Sequence, residues 1–485
     1  MASNKIYVAA MLMIVVLAIA ISPDQQDAET NGKNVMSHSS IITGLDQYSA
    51  FFMIATAEGM SEDTEVTVYN QDIALIKEKR NMDLDAGYNS IKYVDVASRI
   101  DPTSVMFKDM KYPDTFVTEQ NYQYDLVSSG KLLDKYLDKQ ISVTDSDGTT
   151  YTGTLLSHGN GVVLKTGVGV VSFTDISKIE YPNAAGLLTK PTLVWQVYSP
   201  TSGSRDVLTS YLTGGMSWKA NYIVKTNADD TKADINAWVS IDNQAGTSFN
   251  NAKLKLVAGD VHLVYEKPVQ FAGFMYNVDS ATKPSPQSFV EESLFEYHLY
   301  TLDRTTTLKN NEIKQISLLS AGDVPVNKEF IFDGTQDSKV RVVLEMINSE
   351  EMGLGMPLPK GVVRVYKADS SGQLQFLGED EVDHTAKDED IRVFVGYAFD
   401  ITGEKKQTDY KRIGDGVYRV SNEITVKNHK SQKVDIVVVE HVYGDWDVIT
   451  TSDTYTEKDS RTIEYGISVP ADGTKTISYT VEYTY

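Results

Sequence analysis

Thr462-Ile463-Glu464-Tyr465-Gly466-Ile467-Ser468-Val469, Pro470-Ala471-Asp472-Gly473 and Thr474-Lys475-Thr476-Ile477-Ser478-Tyr479-Thr480-Val481-Glu482-Tyr483-Thr484-Tyr485 close the chain. Ile463, Tyr465, Ile467 and Val469 alternate with small or polar residues. So do Ile477, Tyr479, Val481, Tyr483 and Tyr485. Successive side chains of a strand point to opposite faces, so this period of two predicts two strands, each with one apolar face and one wet face. Asp472-Gly473 between them predicts a tight turn and a hairpin. A sheet with one wet face belongs to an antiparallel sandwich rather than a parallel α/β sheet.

The same alternation recurs upstream. Val66 and Val68, Ile73 and Leu75, Trp195-Gln196-Val197-Tyr198, and Ile235, Ala237, Val239 and Ile241 all follow it. The expected fold class is all-β, with multidomain antiparallel β-sandwiches. Residues 64–128 read as an N-terminal β domain, 184–350 as a central β-sandwich and 351–485 as a C-terminal β-sandwich. Breaks at Lys283-Pro284-Ser285-Pro286 and at Gly353 to Gly361 mark loops, because proline removes a backbone donor and favours extended backbone.

Residues 129–183 differ. Leu132, Leu133, Tyr136 and Leu137 share one side of Lys131–Lys139, the spacing of a short amphipathic helix, with Lys131, Asp134, Lys135 and Asp138 placed to pair on the other. Five short strands follow, Ile141–Thr144, Thr150–Ser157, Val162–Lys165, Val170–Thr174 and Lys178–Tyr181, separated by turns such as Asp145-Ser146-Asp147-Gly148 and Gly159-Asn160-Gly161. This resembles an inserted SH3-like or Sm-like small barrel. Tyr151-Thr152-Gly153-Thr154-Leu155-Leu156 is similar to the Gly-x-Leu strand of Sm-like folds. Ser172-Phe173-Thr174-Asp175 stands where their basic RNA-contacting motif belongs, which argues for a structural insert rather than an RNA site.

At the other end, Lys5 precedes an unbroken apolar run from Ile6 to Ile21, then Ser22-Pro23. As a helix the run is about 24 Å long, against a hydrocarbon core of about 30 Å. It reads as a secretory signal, with Ala18-Ile19-Ala20 as the cleavage signal, or as an uncleaved N-terminal anchor over residues 6–21. A second patch, Ala50 to Ile54 with Ala55-Thr56-Ala57, is too short to span and reads as a first strand or another processing point. Residues 22–63 are a polar linker. The expected setting is exported, extracellular or at the cell surface. The chain has no cysteine, which excludes disulfides and a lipidated cysteine, and no Asn-x-Ser/Thr acceptor. With 45 basic and 67 acidic residues, its net charge of −22 argues against nucleic acid and against docking on anionic lipid.

Several motifs resemble one family. Leu208-Thr209-Ser210-Tyr211-Leu212 with Trp218-Lys219-Ala220-Asn221-Tyr222 is similar to the opening of a C-terminal domain of unknown function in mucoidy-inhibitor-A-like proteins. Ala245-Gly246-Thr247 to Asn251 with Leu254-Lys255-Leu256 follows, with Phe249 where the family often has Trp. Pro359-Lys360-Gly361-Val362-Val363-Arg364-Val365-Tyr366, Phe376-Leu377-Gly378-Glu379, Val426-Lys427-Asn428-His429-Lys430 and Trp446-Asp447-Val448 complete the series. The likeness covers about 205–485, and Ile100-Asp101-Pro102-Thr103-Ser104-Val105 resembles the N-terminal β domain of the same proteins. It implies a β fold and an envelope setting and brings no catalytic residues. Many relatives carry a coiled coil where this chain has residues 129–183, so nothing lodged in that coiled coil carries over.

No motif supplies chemistry. The seven histidines, 38, 158, 262, 298, 384, 429 and 441, show no metal-ligand spacing; His429 and His441 would at most face each other across a hairpin. Glu379-Asp380-Glu381-Val382-Asp383-His384 and Asp388-Glu389-Asp390 form the densest acidic stretch. Asp380, Asp383, Asp388 and Asp390 are its candidate Ca²⁺ ligands, beside the plainer reading of a solvated loop. Asp145-x-Asp147-Gly148 lacks the downstream acid of a calcium loop, and Gly215-Met216-Ser217-Trp218 lacks the closing glycine of a nucleophile elbow.

The expected function is a non-catalytic interaction or structural module with a cell-surface protein or polysaccharide as partner. One alternative is an enzyme on surface polysaccharide, which needs two close acids in a cleft, one with a raised pKa. Another is a glycan-binding module, which needs exposed Tyr or Trp in a row on one sheet face; the 28 tyrosines allow it, though most suit half-buried strands.

Overall fold

A computed structural model describes residues 54–57, 63–184, 186–259, 261–262 and 289–484. The apolar leader, nearly all of the polar linker, His38 and the Lys283–Pro286 loop lie outside the described residues. No helix among the described residues is long and apolar enough to cross a membrane.

The architecture is all-β. Five sheets hold the described strands, and Ser129–Lys135 is their single α-helix. Near the N-terminus a four-stranded sheet runs Ile54–Ala57, Gly87–Val94, Thr192–Ser199, Phe116–Gln123. A seven-stranded sheet is built from Phe289–Leu294, Tyr297–Leu308, Phe249–Ala258, Asp63–Tyr69, Ile73–Leu84, Gly203–Gly214 and Met106–Asp109, in that order. A five-stranded sheet runs Glu312–Pro325, Lys232–Asn243, Met216–Thr226, Gly361–Ala368, Leu374–Val382. A nine-stranded sheet runs Asp445–Thr451, Thr474–Thr484, Val417–Asn428, Asp390–Gly414, Lys339–Ile347, Asn327–Asp333, Val434–His441, Thr462–Val469, Thr456–Asp459.

One apolar core runs through the first three of these sheets, from Val66 to Val393, and includes Ile76, Tyr93, Trp195, Tyr211 and Trp218. A second core, with Phe332, Ile424, Tyr465, Tyr479 and Val481, fills the C-terminal sandwich. Strand Asp390–Gly414 serves both, through Ile391 and Val393 in the first and Ile401 in the second.

Sheet pairing crosses two expected boundaries. Strand Asp63–Tyr69 pairs in parallel with Phe249–Ala258, so the N-terminal and central segments share sheets. Gly361–Ala368 pairs in parallel with Met216–Thr226, while Asn327–Asp333 joins the C-terminal sheet. Alternation reports which face of a strand is buried. It carries no information about which distant strand lies alongside.

The final two strands bring a sharper correction. Thr462–Val469 pairs with Val434–His441, and Thr474–Thr484 pairs with Val417–Asn428 and Asp445–Thr451. They do not form a hairpin. Pro470 to Gly473 arches between layers, with Asp472 at φ 49°, so the two apolar faces meet across the core. Buried Asn428 holds the arch: its amide donates to Gln432 O (2.8 Å), Val469 O (3.3 Å) and Pro470 O (2.8 Å), and its Oδ1 accepts from Lys430 N (3.0 Å). Buried Asn348 does the same for the Gly353–Gly361 break, donating to Met356 O and Ala386 O and accepting from Gly355 N.

Residues 129–183 form a fifth sheet. Its antiparallel order is Gly169–Phe173, Val162–Thr166, Thr150–Ser157, Gln140–Asp145, Ile176–Glu180. Its own core holds Tyr136, Ile141, Val143, Leu155, Leu164 and Phe173. Gly161 has φ 107°, and a Cβ there would lie 2.4 Å from Phe173 O, so the Asn-Gly turn requires its glycine. The helix stops short of Lys139. Leu137 bridges to Leu155, and Asp138, at φ 61°, donates its N–H to Leu155 O. The expected charge pairs within the helix also give way: Lys131 and Lys135 both bind Asp125, and Asp134 meets His158.

Candidate functional site

The outer face of the four-stranded sheet carries a row of three aromatic rings. Tyr88, Tyr198 and Phe116 stand directly opposite one another on three adjacent strands. The Tyr88 and Tyr198 ring centroids are 5.5 Å apart, and those of Tyr198 and Phe116 are 5.4 Å apart. The strand phase explains their direction. Ile91, Tyr93, Leu193, Trp195 and Val197 take the inward positions and are buried, so the alternate positions face out. Tyr88 is 64% exposed and Phe116 50%, so both rings are accessible to a ligand. The next outward row is polar, Ser90, Gln196 and Glu119, and the one after it is Lys92, Val194 and Asn121. Asn121 donates to Glu119 at 2.9 Å.

The row stands on a stiff support. Trp195 packs beneath it at 4.8 Å from Tyr93, and its indole N–H donates to Gln120 Oε1 at 2.8 Å. Tyr93 Oη donates to Glu78, which also takes Arg80 Nη2 at 2.6 Å, and the Arg80 guanidinium lies 3.9 Å from the centre of the Tyr93 ring. Burial, with the Glu78 charge beside it, pushes the Tyr93 hydroxyl far above its ordinary pKa, so it stays a donor.

A cleft lies on the outer face of the nine-stranded sheet. It has a volume of about 270 Å³ and draws on five adjacent strands plus Asp380 from Leu374–Val382. His441 Nε2 meets Asp333 Oδ2 at 2.9 Å, and Asp333 Oδ1 accepts from the Thr335 N–H and hydroxyl. Burial works to raise the Asp333 pKa, but the bonds from Thr335 and His441 outweigh it and hold the carboxyl below its ordinary value. That is opposite to what a general acid needs. A further void of about 20 Å³, lined by Tyr222, Val224, Leu319 and Val363 among others, is apolar core.

The acidic candidates separate. Asp380 faces the 270 Å³ cleft and accepts from Phe394 N (2.7 Å) and Glu381 N (2.9 Å). Asp383 is exposed, 4.0 Å from Lys360 Nζ. Asp388 sits at φ 65° and donates its N–H to Asn348 O, while Asp390 opens a strand opposite Ile347. Among the described residues no three His, Asp or Glu side chains converge as a metal site. Asp145 caps its own turn, accepting from Asp147 N and Thr149 N. His429 and His441 share no hairpin, because Val417–Asn428 and Val434–His441 occupy separate places in the sheet.

The family-like motifs land at structural joints. Tyr222 Oη donates to Pro359 O at 2.6 Å, and Ala220 stands opposite Gly361, where a Cβ would lie 2.3 Å from Ala220 O. Asp101 N donates to Leu212 O, and Leu212 N to Ser104 Oγ. No family model matches the chain, and no curated protein matches it.

The aromatic row was not readable in advance. Tyr198 and its outward phase stood in the quoted run Trp195–Tyr198, but the partners Tyr88 and Phe116 are defined only by strand register.

Proposed function

We propose that the protein is an exported, non-catalytic β-sandwich protein that binds neutral glycan at the cell surface through the Tyr88–Tyr198–Phe116 face. The observation that carries this reading is the cross-strand row of rings with a polar row beside it. A sugar presents C–H groups on its faces and hydroxyls at its edges. Ring faces suit the former, and Ser90, Gln196, Glu119 and Asn121 can exchange hydrogen bonds with the latter. The net charge of −22 favours neutral sugars over acidic ones. Export rests on the apolar leader. Within the second apolar patch, the strand Ile54–Ala57, paired with Gly87–Val94, supports the first-strand reading. The motif series supports kinship with mucoidy-inhibitor-A-like proteins. The strand order of residues 140–180 behind a short helix supports reading that insert as an SH3/Sm-like barrel and a structural or protein-contact module.

A glycan array followed by affinity electrophoresis in soluble neutral polysaccharides tests the function. Retardation by at least one neutral hexose or N-acetylhexosamine polymer is expected, with loss of about 1–3 kcal/mol of binding in Tyr88→Ala or Tyr198→Ala. Equal retardation of the alanine variants, or none by any neutral polymer, would remove the proposal.

A further inference from the structure

The cleft on the nine-stranded sheet is separate from the aromatic face, and its charged groups divide into two sets. One set is satisfied internally. Arg392 binds Glu329 Oε2 (2.7 Å) and Glu345 Oε1 (3.2 Å), His441 is paired with Asp333, and Asp380 is held by two backbone N–H groups. The other set comprises Arg341 and Glu464. Both are half-buried, and neither side chain has a hydrogen bond or ion pair among the described residues. The Arg341 guanidinium lies 4.7 Å from the centre of the Phe394 ring, which orients it without neutralising it.

Their separation follows from register. Arg341 stands opposite Ile331, Ile331 opposite Val437, and Val439 opposite Glu464. Three inter-strand steps of about 4.8 Å and an offset of two residues at about 3.4 Å place the two Cα atoms roughly 16 Å apart. The Arg341 guanidinium leans over Phe394 of the flanking strand Asp390–Gly414, and Ile331, Val343 and Val439 line the floor. A separation of this size suits a chain of two or three residues at about 3.4 Å each with an ion pair of about 2.8 Å at either end. The cleft therefore presents a positive end, an apolar floor and a negative end, and its 270 Å³ is smaller than a drug-sized pocket.

We propose that this cleft binds a short peptide with free termini, the carboxylate on Arg341 and the ammonium on Glu464. Arginine's planar fork matches a carboxylate in a two-bond geometry, whereas the glutamate offers acceptors to an ammonium group. Small apolar side chains would lie on the Ile331–Val439 floor.

Titration calorimetry of the whole protein with trialanine at neutral pH is the test. Saturable binding is expected, with C-terminal amidation and N-terminal acetylation each weakening it at least about tenfold. In Arg341→Gln the free acid and the amide should bind alike, and in Glu464→Gln the free amine and the acetylated peptide should bind alike. Circular dichroism checks that both variants fold, and the capped peptides test the unmodified protein if either does not. Absence of binding at millimolar trialanine, or affinity indifferent to both caps, overturns the proposal.

Discussion

Lys405 Nζ and the Glu440 carboxylate form an ion pair inside the C-terminal sandwich, where Glu440 is 1% exposed. Tyr479 Oη donates to the same carboxylate oxygen, and among the described residues Glu440 Oε1 has no partner. The charge is thus balanced by one lysine and one hydroxyl. Removing the lysine strands a buried anion, so Lys405→Met is expected to cost about 3–5 kcal/mol. Glu440→Gln keeps an acceptor for Tyr479 and leaves a lysine that can still reach water, so its cost is expected to be about 1–2 kcal/mol. Urea denaturation of the three proteins checks the order, and equal midpoints for the two variants would contradict it.

Asn428 makes the arch between the last two strands. Asn428→Leu leaves the carbonyls of Val469 and Pro470 without their donor in a buried place. A loss of about 1–3 kcal/mol is expected. Asn428→Asp should cost more, because a carboxylate faces the same carbonyl oxygens and has no proton to give at neutral pH. Thermal unfolding scans at pH 7 would rank wild type above Leu and Leu above Asp.

This arch shows where the sequence was readable and where it stopped. Ile463 to Val469 and Ile477 to Val481 were legible as strands with one buried face each, because a side-chain period of two is a local property. Their partners were not. Asp472-Gly473 permits a tight turn, yet the two strands pair with Val434–His441 and Val417–Asn428, which are distant in sequence. The same limit hid the site. Tyr198 pointed outward by phase alone, but a row of rings needs Gly87–Val94 and Phe116–Gln123 to fall into register on either side. The cleft drew residues from six strands at once, so no local window contained it. In the acidic stretch, local density suggested convergence, whereas strand Leu374–Val382 and the loop after it sent the carboxylates in different directions.

Asp369 offers a pH-dependent check on the turn between Gly361–Ala368 and Leu374–Val382. Its carboxylate accepts from the Ser371 hydroxyl (2.6 Å), Gln375 Nε2 (2.9 Å), Gln373 N (3.0 Å) and Ser371 N (2.9 Å). These bonds favour the charged form, the Ser371 hydroxyl most, and bring the pKa down from 3.8 to about 2. Because the folded value is the lower one, the contribution to stability is complete above pH 3.8 and is lost as pH falls toward about 2. An NMR titration of the Asp369 side-chain carbonyl should show its midpoint near 2, and Ser371→Ala should move it upward. A midpoint unchanged by Ser371→Ala would show that the hydroxyl does not hold the charge.

Tyr198 separates binding from stability. Its inward neighbours, Trp195 and Val197, are buried and carry the packing of strand Thr192–Ser199, while Tyr198 lies outside against Tyr88 and Phe116. Tyr198→Ala removes cross-strand ring contacts on a wet face, worth about 0.5–1.5 kcal/mol. Trp195→Ala opens the core and strands Gln120 Oε1, with an expected cost of about 3–5 kcal/mol. Tyr198→Ala should weaken glycan binding by about 1–3 kcal/mol while shifting the unfolding midpoint only slightly, and Tyr198→Phe should preserve most of both. The phenylalanine variant keeps the ring face and loses only the hydroxyl, so retention of binding there points to stacking as the source of affinity. Loss of binding in Tyr198→Phe equal to that in Tyr198→Ala would place the interaction on the hydroxyl instead and count against a ring platform.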